Sequence, residues 1–133
     1  MLPGAVSYVE TWPADGTFDL IHAASALQYV DDWRQVLESL ARYRADFMLL
    51  SDVFAGAIPT FVTLQNYYGS RIRHWFWNLD ELLEACSGAS YAQVMKTFAA
   101  GRRLEMVDTL PMDHFPETHR LEQSLHLLLQ RHA

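Results

Sequence analysis

No two of the six glycines stand close enough to form a phosphate-binding loop; they fall at positions 4, 16, 56, 69, 88 and 101. Dinucleotide and P-loop sites need a Gly-rich turn whose backbone N–H groups meet a phosphate, so neither motif is present. Cysteine is almost absent. The single Cys86 excludes an internal disulfide and every Cys-x-x-Cys metal or redox motif. No histidine pair has the four-residue spacing of a helical zinc site, and there is no Gly-x-Ser-x-Gly elbow. Basic charge is scarce: ten Lys and Arg stand against sixteen Asp and Glu, a net charge of -6. That balance repels polyphosphate and sets nucleic-acid binding aside. Long apolar runs are missing as well. Val53 to Leu64 is too short to span a bilayer and is broken by Gly56 and Pro59. Met1 to Pro13 has neither the basic start nor the apolar stretch of a signal peptide. The expectation is a soluble, acidic, cytoplasmic protein with no nucleic-acid or membrane partner, forming a single domain over residues 1–133.

What is present suffices for a core, since half of the residues are hydrophobic and a fifth are charged. Val6 to Glu10 reads as a short strand, and Asp15-Gly16 as a turn. Phe18 to Ala24 is an apolar run of the kind a strand covered on both faces shows. A helix follows, capped by Asp31 or Asp32, with Trp33, Val36, Leu37, Leu40 and Ala41 on one stripe. Phe47 to Val53 is the next strand, so strand, helix and strand make one crossover unit of a parallel sheet.

Ala55 to Trp77 carries Gly56, Pro59, Gly69 and six aromatic residues without convincing periodicity. A segment that long without regular structure points to function. Asn78 then caps a second helix, with Glu81 in capping-box position and Gly88 at its end. Tyr91 to Phe98 reads as a strand, Gly101-Arg102-Arg103 as a turn, and Leu104 to Leu110 as another extended piece. In the tail, the leucines at 121, 125, 128 and 129 have helical spacing, yet Ser124 to Gln130 reads equally as a buried strand. His114, His119 and His126 lie near Asp113, Glu117 and Glu122, but their spacing matches no common ligand set, so no metal is expected and surface histidines explain them better.

Phe18-Asp19-Leu20-Ile21-His22-Ala23-Ala24-Ser25-Ala26-Leu27-Gln28-Tyr29-Val30 resembles the fourth-strand motif of class I S-adenosylmethionine-dependent methyltransferases. The stretch Ile58 to Ser70, with Gln65-Asn66-Tyr67 in it, and Trp75-Phe76-Trp77-Asn78 after it resemble an uncharacterised bacterial branch of that family. The resemblance spans nearly the whole chain. It implies an α/β, Rossmann-like methyltransferase sheet of roughly five strands and two or three helices, without its N-terminal glycine-loop half. It also implies a mixed sheet whose last strand, Ser124 to Arg131, runs antiparallel to Tyr91–Phe98.

The implied cofactor is S-adenosylmethionine and the implied partner a small-molecule acceptor. Ser25, Leu27 and Gln28 would face the cofactor at the carboxyl edge of the sheet. Asp52, Gln65, Asn66, Tyr67, Arg71 and His74 would face the acceptor, a small polar molecule such as a sugar or sugar phosphate. No catalytic residue is assigned, and Trp75, Phe76 and Trp77 read as core.

The family's first strand, its Gly-x-Gly loop and the acidic end of its second strand would lie before residue 1. Weak or no cofactor binding, and no methyl transfer, are therefore expected of the isolated chain. A homodimer joined through the edge of the Phe18–Ala24 strand is also expected, because that edge lacks Lys and internal Pro. Two rivals remain: a non-catalytic remnant or assembly module with this fold, and a hydrolase or epimerase, for which no nucleophile and base are placed.

Overall fold

The computed structural model describes residue 4, residues 6–99 and residues 112–132. Strands β1 (Leu20–Ala24) and β2 (Phe47–Val53) flank helix α1 (Trp33–Ala41). A second region holds β3 (Ala55–Gly56), β4 (Phe61–Tyr67) and β5 (Ser70–Asn78), and leads into helix α2 (Leu79–Gly88). Strands β6 (Tyr91–Phe98) and β7 (Leu125–Arg131) complete the order. A four-stranded sheet runs β1-β2-β7-β6 and a three-stranded one β3-β5-β4.

Capping sets the helices where the sequence places them. The Asp32 carboxylate accepts from Gln35 N at 3.1 Å, so Asp32 rather than Asp31 caps α1. The Asn78 side chain accepts from Glu81 N at 3.1 Å and opens α2. Gly88 is the last residue of α2 rather than its stop, and the chain reverses at Ser90, which takes a left-handed φ of 73°. The two helices are joined by an Arg34–Glu81 ion pair at 2.8 Å.

In the larger sheet β1 and β2 are parallel, and β7 runs antiparallel to both β2 and β6. The mixed sheet and the Ser124–Gln130 strand are thus as expected. The helical spacing of the tail leucines is overridden because Leu125, Leu127 and Leu129 fall on the covered face, where each is almost fully buried. Met48 and Leu50 lie opposite Leu129 and Leu127 in register. With Trp33, Leu37, Leu40, Trp77, Leu82 and Cys86 they form one core, each large side chain contributing about 1.5–3 kcal/mol of burial free energy. Trp33 and Trp77 meet edge to face with ring centroids 5.9 Å apart. The Tyr91 hydroxyl donates to the Ala45 carbonyl at 2.6 Å.

The opposite face presents a row running His22, Leu49, Leu128 and Met95 across the four strands. Leu20 and Met95 there are 51% and 52% exposed. Strand β1 pairs with β2 alone, so its outer edge has no strand partner among the described residues.

Three expectations are corrected. Val6 to Glu10 is not a strand: Val6, Tyr8 and Val9 are exposed, and β-prone residues form no strand without a neighbour to pair with. Ala55 to Trp77 is not irregular but holds β3 and the β4–β5 hairpin, which raises the strand count above five. The hairpin turns at Tyr68-Gly69, whose φ values of 46° and 80° are both left-handed, as a primed two-residue turn requires. The Gly101–Arg103 turn and the Leu104–Leu110 extended piece lie outside the described residues. Among the described residues no helix is long and apolar enough to cross a membrane.

Candidate functional site

Parallel strands β1 and β2 end side by side, and the residue after β1 is joined to the last turn of β2. Ser25 N donates to the Ser51 carbonyl at 3.1 Å. Ser25 and Asp52 both take left-handed backbone, φ 46° and 57°, a conformation disfavoured for residues with a Cβ. Strained backbone of this kind concentrates at functional sites, held in place by surrounding contacts.

Those contacts converge on one carboxylate. Asp52 Oδ2 accepts from the Ser25 hydroxyl at 2.6 Å, and Oδ1 from the Ser124 hydroxyl at 2.7 Å. The Asp52 backbone N–H donates to His126 Nδ1 at 3.1 Å. The same point is a register irregularity between β2 and β7, which turns Asp52 out of the ladder. Asp52 therefore tethers three segments while standing at the carboxyl edge of the parallel strands. His126 is a half-buried backbone partner rather than a surface histidine.

Beside it lies a cavity of about 520 Å³, walled by Tyr29, Phe54, Phe76 and Phe115 and bordered by Asp52, Thr63, Gln65 and His74. The hairpin register explains who reaches it. Phe61, Thr63 and Gln65 lie opposite Phe76, His74 and Ile72, so these six share one face. Trp75 faces the other way and donates its Nε1 hydrogen to the Val30 carbonyl at 2.9 Å, fastening β5 to the turn after β1.

His74 is 93% buried by its 7% exposure. Its ring lies 4.7 Å from Phe54, 4.5 Å from Phe76 and 5.5 Å from Tyr29, centroid to centroid. Burial lowers its pKa below 6.5, against a smaller upward pull from the backbone of Trp75 and from the Asp52 carboxylate. It is thus a neutral imidazole at neutral pH. Its Nδ1 is buried without a hydrogen-bond partner among the described residues, and so is the side-chain amide Nε2 of Gln28.

The expected site residues divide accordingly. Ser25, Asp52, Gln65 and His74 gather around the carboxyl edge of the parallel strands and the cavity. Gln28 is buried behind that edge, and Leu27 packs into the core at 4% exposure. Asn66, Tyr67 and Arg71 do not join them: they sit at the exposed hairpin tip, Asn66 and Arg71 opposite one another on the face away from His74. Consecutive strand residues point to opposite faces, so Gln65, Asn66 and Tyr67 cannot all meet one ligand. Arg73 is likewise turned away and pairs with Asp31 at 3.2 Å. Phe76 is both core and cavity wall.

Tyr29, Phe54, Thr63, Phe115 and Ser124 were not singled out by the sequence. Only Tyr29 carries a local signal, as the aromatic residue after Gln28. Cys86 takes no part, since burial pushes its thiol up to about 12 and leaves it protonated. Among the described residues no group of three His, Cys, Asp or Glu is placed to hold a metal ion.

No family model matches the sequence, and no curated protein is significantly similar to it. Solved structures are similar. One is the Burkholderia thailandensis 1,6-didemethyltoxoflavin-N1-methyltransferase with 1,6-didemethyltoxoflavin and S-adenosylhomocysteine bound. The likeness has a TM-score of 0.59 at 14% identity, over 92% of this chain and 47% of that one. A proposed S-adenosylmethionine-dependent methyltransferase from Listeria monocytogenes is similar at TM-score 0.59 and 7% identity, over 93% of this chain and 66% of that one. One from Mesorhizobium loti gives 0.51 and 14%, over 86% and 62%.

The fold is that of S-adenosylmethionine-dependent methyltransferases. The chain spans between about half and two-thirds of the length of these structures. In such a sheet ligands lie outside the carboxyl ends of the parallel strands, which here is where Ser25 and Asp52 meet.

Proposed function

We propose that this chain supplies the acceptor-facing half of an S-adenosylmethionine-dependent methyltransferase acting on a small acceptor. The observation that carries the reading is the Ser25–Asp52 bridge at the ligand edge, opening beside an aromatic-walled cavity. The residues present fit the methionine side of the cofactor. Ser25 offers a hydroxyl at the strand end, and the unpartnered Gln28 amide is a donor in want of an acceptor. When bound, S-adenosylmethionine supplies a methyl group already activated on a sulfonium.

This chain's residues then have three tasks: to orient the acceptor, to exclude water and to take up a proton. The ring wall excludes water. Gln65 and Thr63 hold polar atoms of the acceptor at the cavity mouth. Asp52, fixed by two hydroxyl donors, sets the charge of the site, and its field favours a proton arriving on His74.

The adenosine and ribose of the cofactor have no glycine loop in this sequence to rest on. The chain alone therefore grips the cofactor weakly and does not turn over. Calorimetric titration with S-adenosylhomocysteine tests the reading: weak but saturable heat supports it, and no heat at millimolar ligand overturns it.

The unpaired edge of β1 favours a second reading, an assembly module. Its ladder groups and the apolar row on the uncovered face, Leu49, Leu128 and Met95, suit association of two copies of this chain. Its test is the mass in solution.

A further inference from the structure

We propose that the cavity beneath the β4–β5 hairpin takes a planar, nitrogen-containing aromatic acceptor bearing a ring N–H and no negative charge, and that His74 accepts the proton of that N–H. The inference rests on the methyl-transfer reading, to which it adds the class of acceptor and the base.

Shape comes from the rings. Tyr29, Phe54, Phe76 and Phe115 wall the cavity, and at about 520 Å³ it has room for a fused two-ring molecule. Aromatic walls favour flat guests through ring–ring contact. Phe54 meets Phe76 edge to face at 5.7 Å, and Phe76 lies 5.6 Å from Phe115, so the walls brace each other before any guest arrives.

Charge comes from what borders the rings. Among the described residues Asp52 is the only formally charged side chain lining the cavity. The two arginines nearest in sequence are directed elsewhere, Arg73 to Asp31 and Arg71 to the hairpin tip opposite Asn66. A phosphate here would be taken out of water beside a carboxylate with no cation among the described lining residues to meet it, which is strongly unfavourable. A neutral or cationic guest meets no such penalty.

The proton acceptor follows from His74. It lines the cavity and is buried among three rings on that side of the hairpin. A neutral imidazole has one nitrogen with a free lone pair, which a ring N–H of the acceptor can meet. In the reaction the acceptor nitrogen forms a bond to the methyl carbon while the carbon–sulfur bond breaks and its electrons remain on sulfur. The proton leaves the acceptor nitrogen for the imidazole, which becomes an imidazolium facing the field of Asp52. Charge balances: a sulfonium is lost and an imidazolium gained.

The experiment uses three probes on the whole chain: lumazine, 1,3-dimethyllumazine, which has the same ring system without an N–H, and glucose 6-phosphate. Binding is followed by tryptophan fluorescence and by nitrogen NMR of the His74 ring. Both lumazines are expected to bind saturably and glucose 6-phosphate is not. Phe54→Leu and Phe115→Leu, each checked as folded by circular dichroism, should each weaken lumazine about threefold to tenfold, the worth of one ring contact. The unprotonated His74 nitrogen should shift with lumazine and stay in place with the dimethyl form. Saturable glucose 6-phosphate binding, absent lumazine binding, or lumazine binding indifferent to both variants overturns the acceptor class. Equal nitrogen shifts with the two lumazines, or none, overturn the role of His74. Failure of S-adenosylhomocysteine to bind while lumazine passes would remove the methyl-transfer reading and leave the aromatic cavity standing.

Discussion

Ser25, which follows β1, and Asp52, the next-to-last residue of β2, are joined side chain to side chain at 2.6 Å while both hold left-handed backbone. Neither conformation is favoured in isolation. The bridge and the second donor, Ser124, hold them against the cost.

Replacing Asp52 with Ala is expected to destabilise the protein by about 1–3 kcal/mol, the cost of leaving hydrogen-bonding groups without a partner. Asp52→Gly should lose less than Asp52→Ala, because glycine accepts a φ of 57° without strain. Urea midpoints of the two variants measure the difference. An alanine variant as stable as the parent would mean that the tether carries nothing.

The pH dependence follows from His74. Burial holds its folded pKa below the ordinary 6.5, so the unfolded chain takes up the proton first as pH falls. The contribution of His74 to stability should be constant above about 6.5 and decline as pH drops from there through the folded value. His74→Phe, which keeps a ring in the wall, should flatten that share of the slope. Denaturant unfolding across the interval, with NMR titration of the ring, supplies both numbers. Asp52→Asn should lower the His74 midpoint further, since the carboxylate raises it.

Trp75→Phe removes the bond from Nε1 to the Val30 carbonyl and should cost about 1 kcal/mol. Amide exchange should speed up around Tyr29 and Val30, loosening one wall of the cavity. Unchanged exchange there would show that β5 does not hold the turn.

For the exposed edge, sedimentation at micromolar concentration should give a dimer rather than the 15.3 kDa monomer. Leu20→Lys, which places a charge on the apolar face of the edge strand, should shift the population to monomer with little loss of stability. A monomeric parent would contradict the assembly reading.

The elements with local signals were legible in the sequence. Asp32 and Asn78 mark helix starts because the side chain itself makes the capping bond, and the apolar runs in β1 and β2 need only their own residues. The β4–β5 hairpin was not legible. Its turn places Tyr68 where Asn or Asp is favoured, and both faces of β4 carry polar and apolar residues, so alternation is masked. Missing the strand also hid which of Gln65, Asn66 and Tyr67 shares a face with His74. Phe54, Phe115 and Ser124 reach the site only through tertiary folding, and no local pattern announces them. The Val6–Glu10 reading fails for the converse reason, a suitable composition with no partner strand among the described residues.

The most direct measurement is amide NMR of the whole chain titrated with S-adenosylhomocysteine. The account predicts saturable shifts concentrated at Ser25, Gln28 and Asp52, silent resonances at Asn66, Tyr67 and Gly69, and a dissociation constant near about 1 mM, roughly -4 kcal/mol. Shifts centred on the hairpin tip, or none at all at several times that concentration, would contradict it.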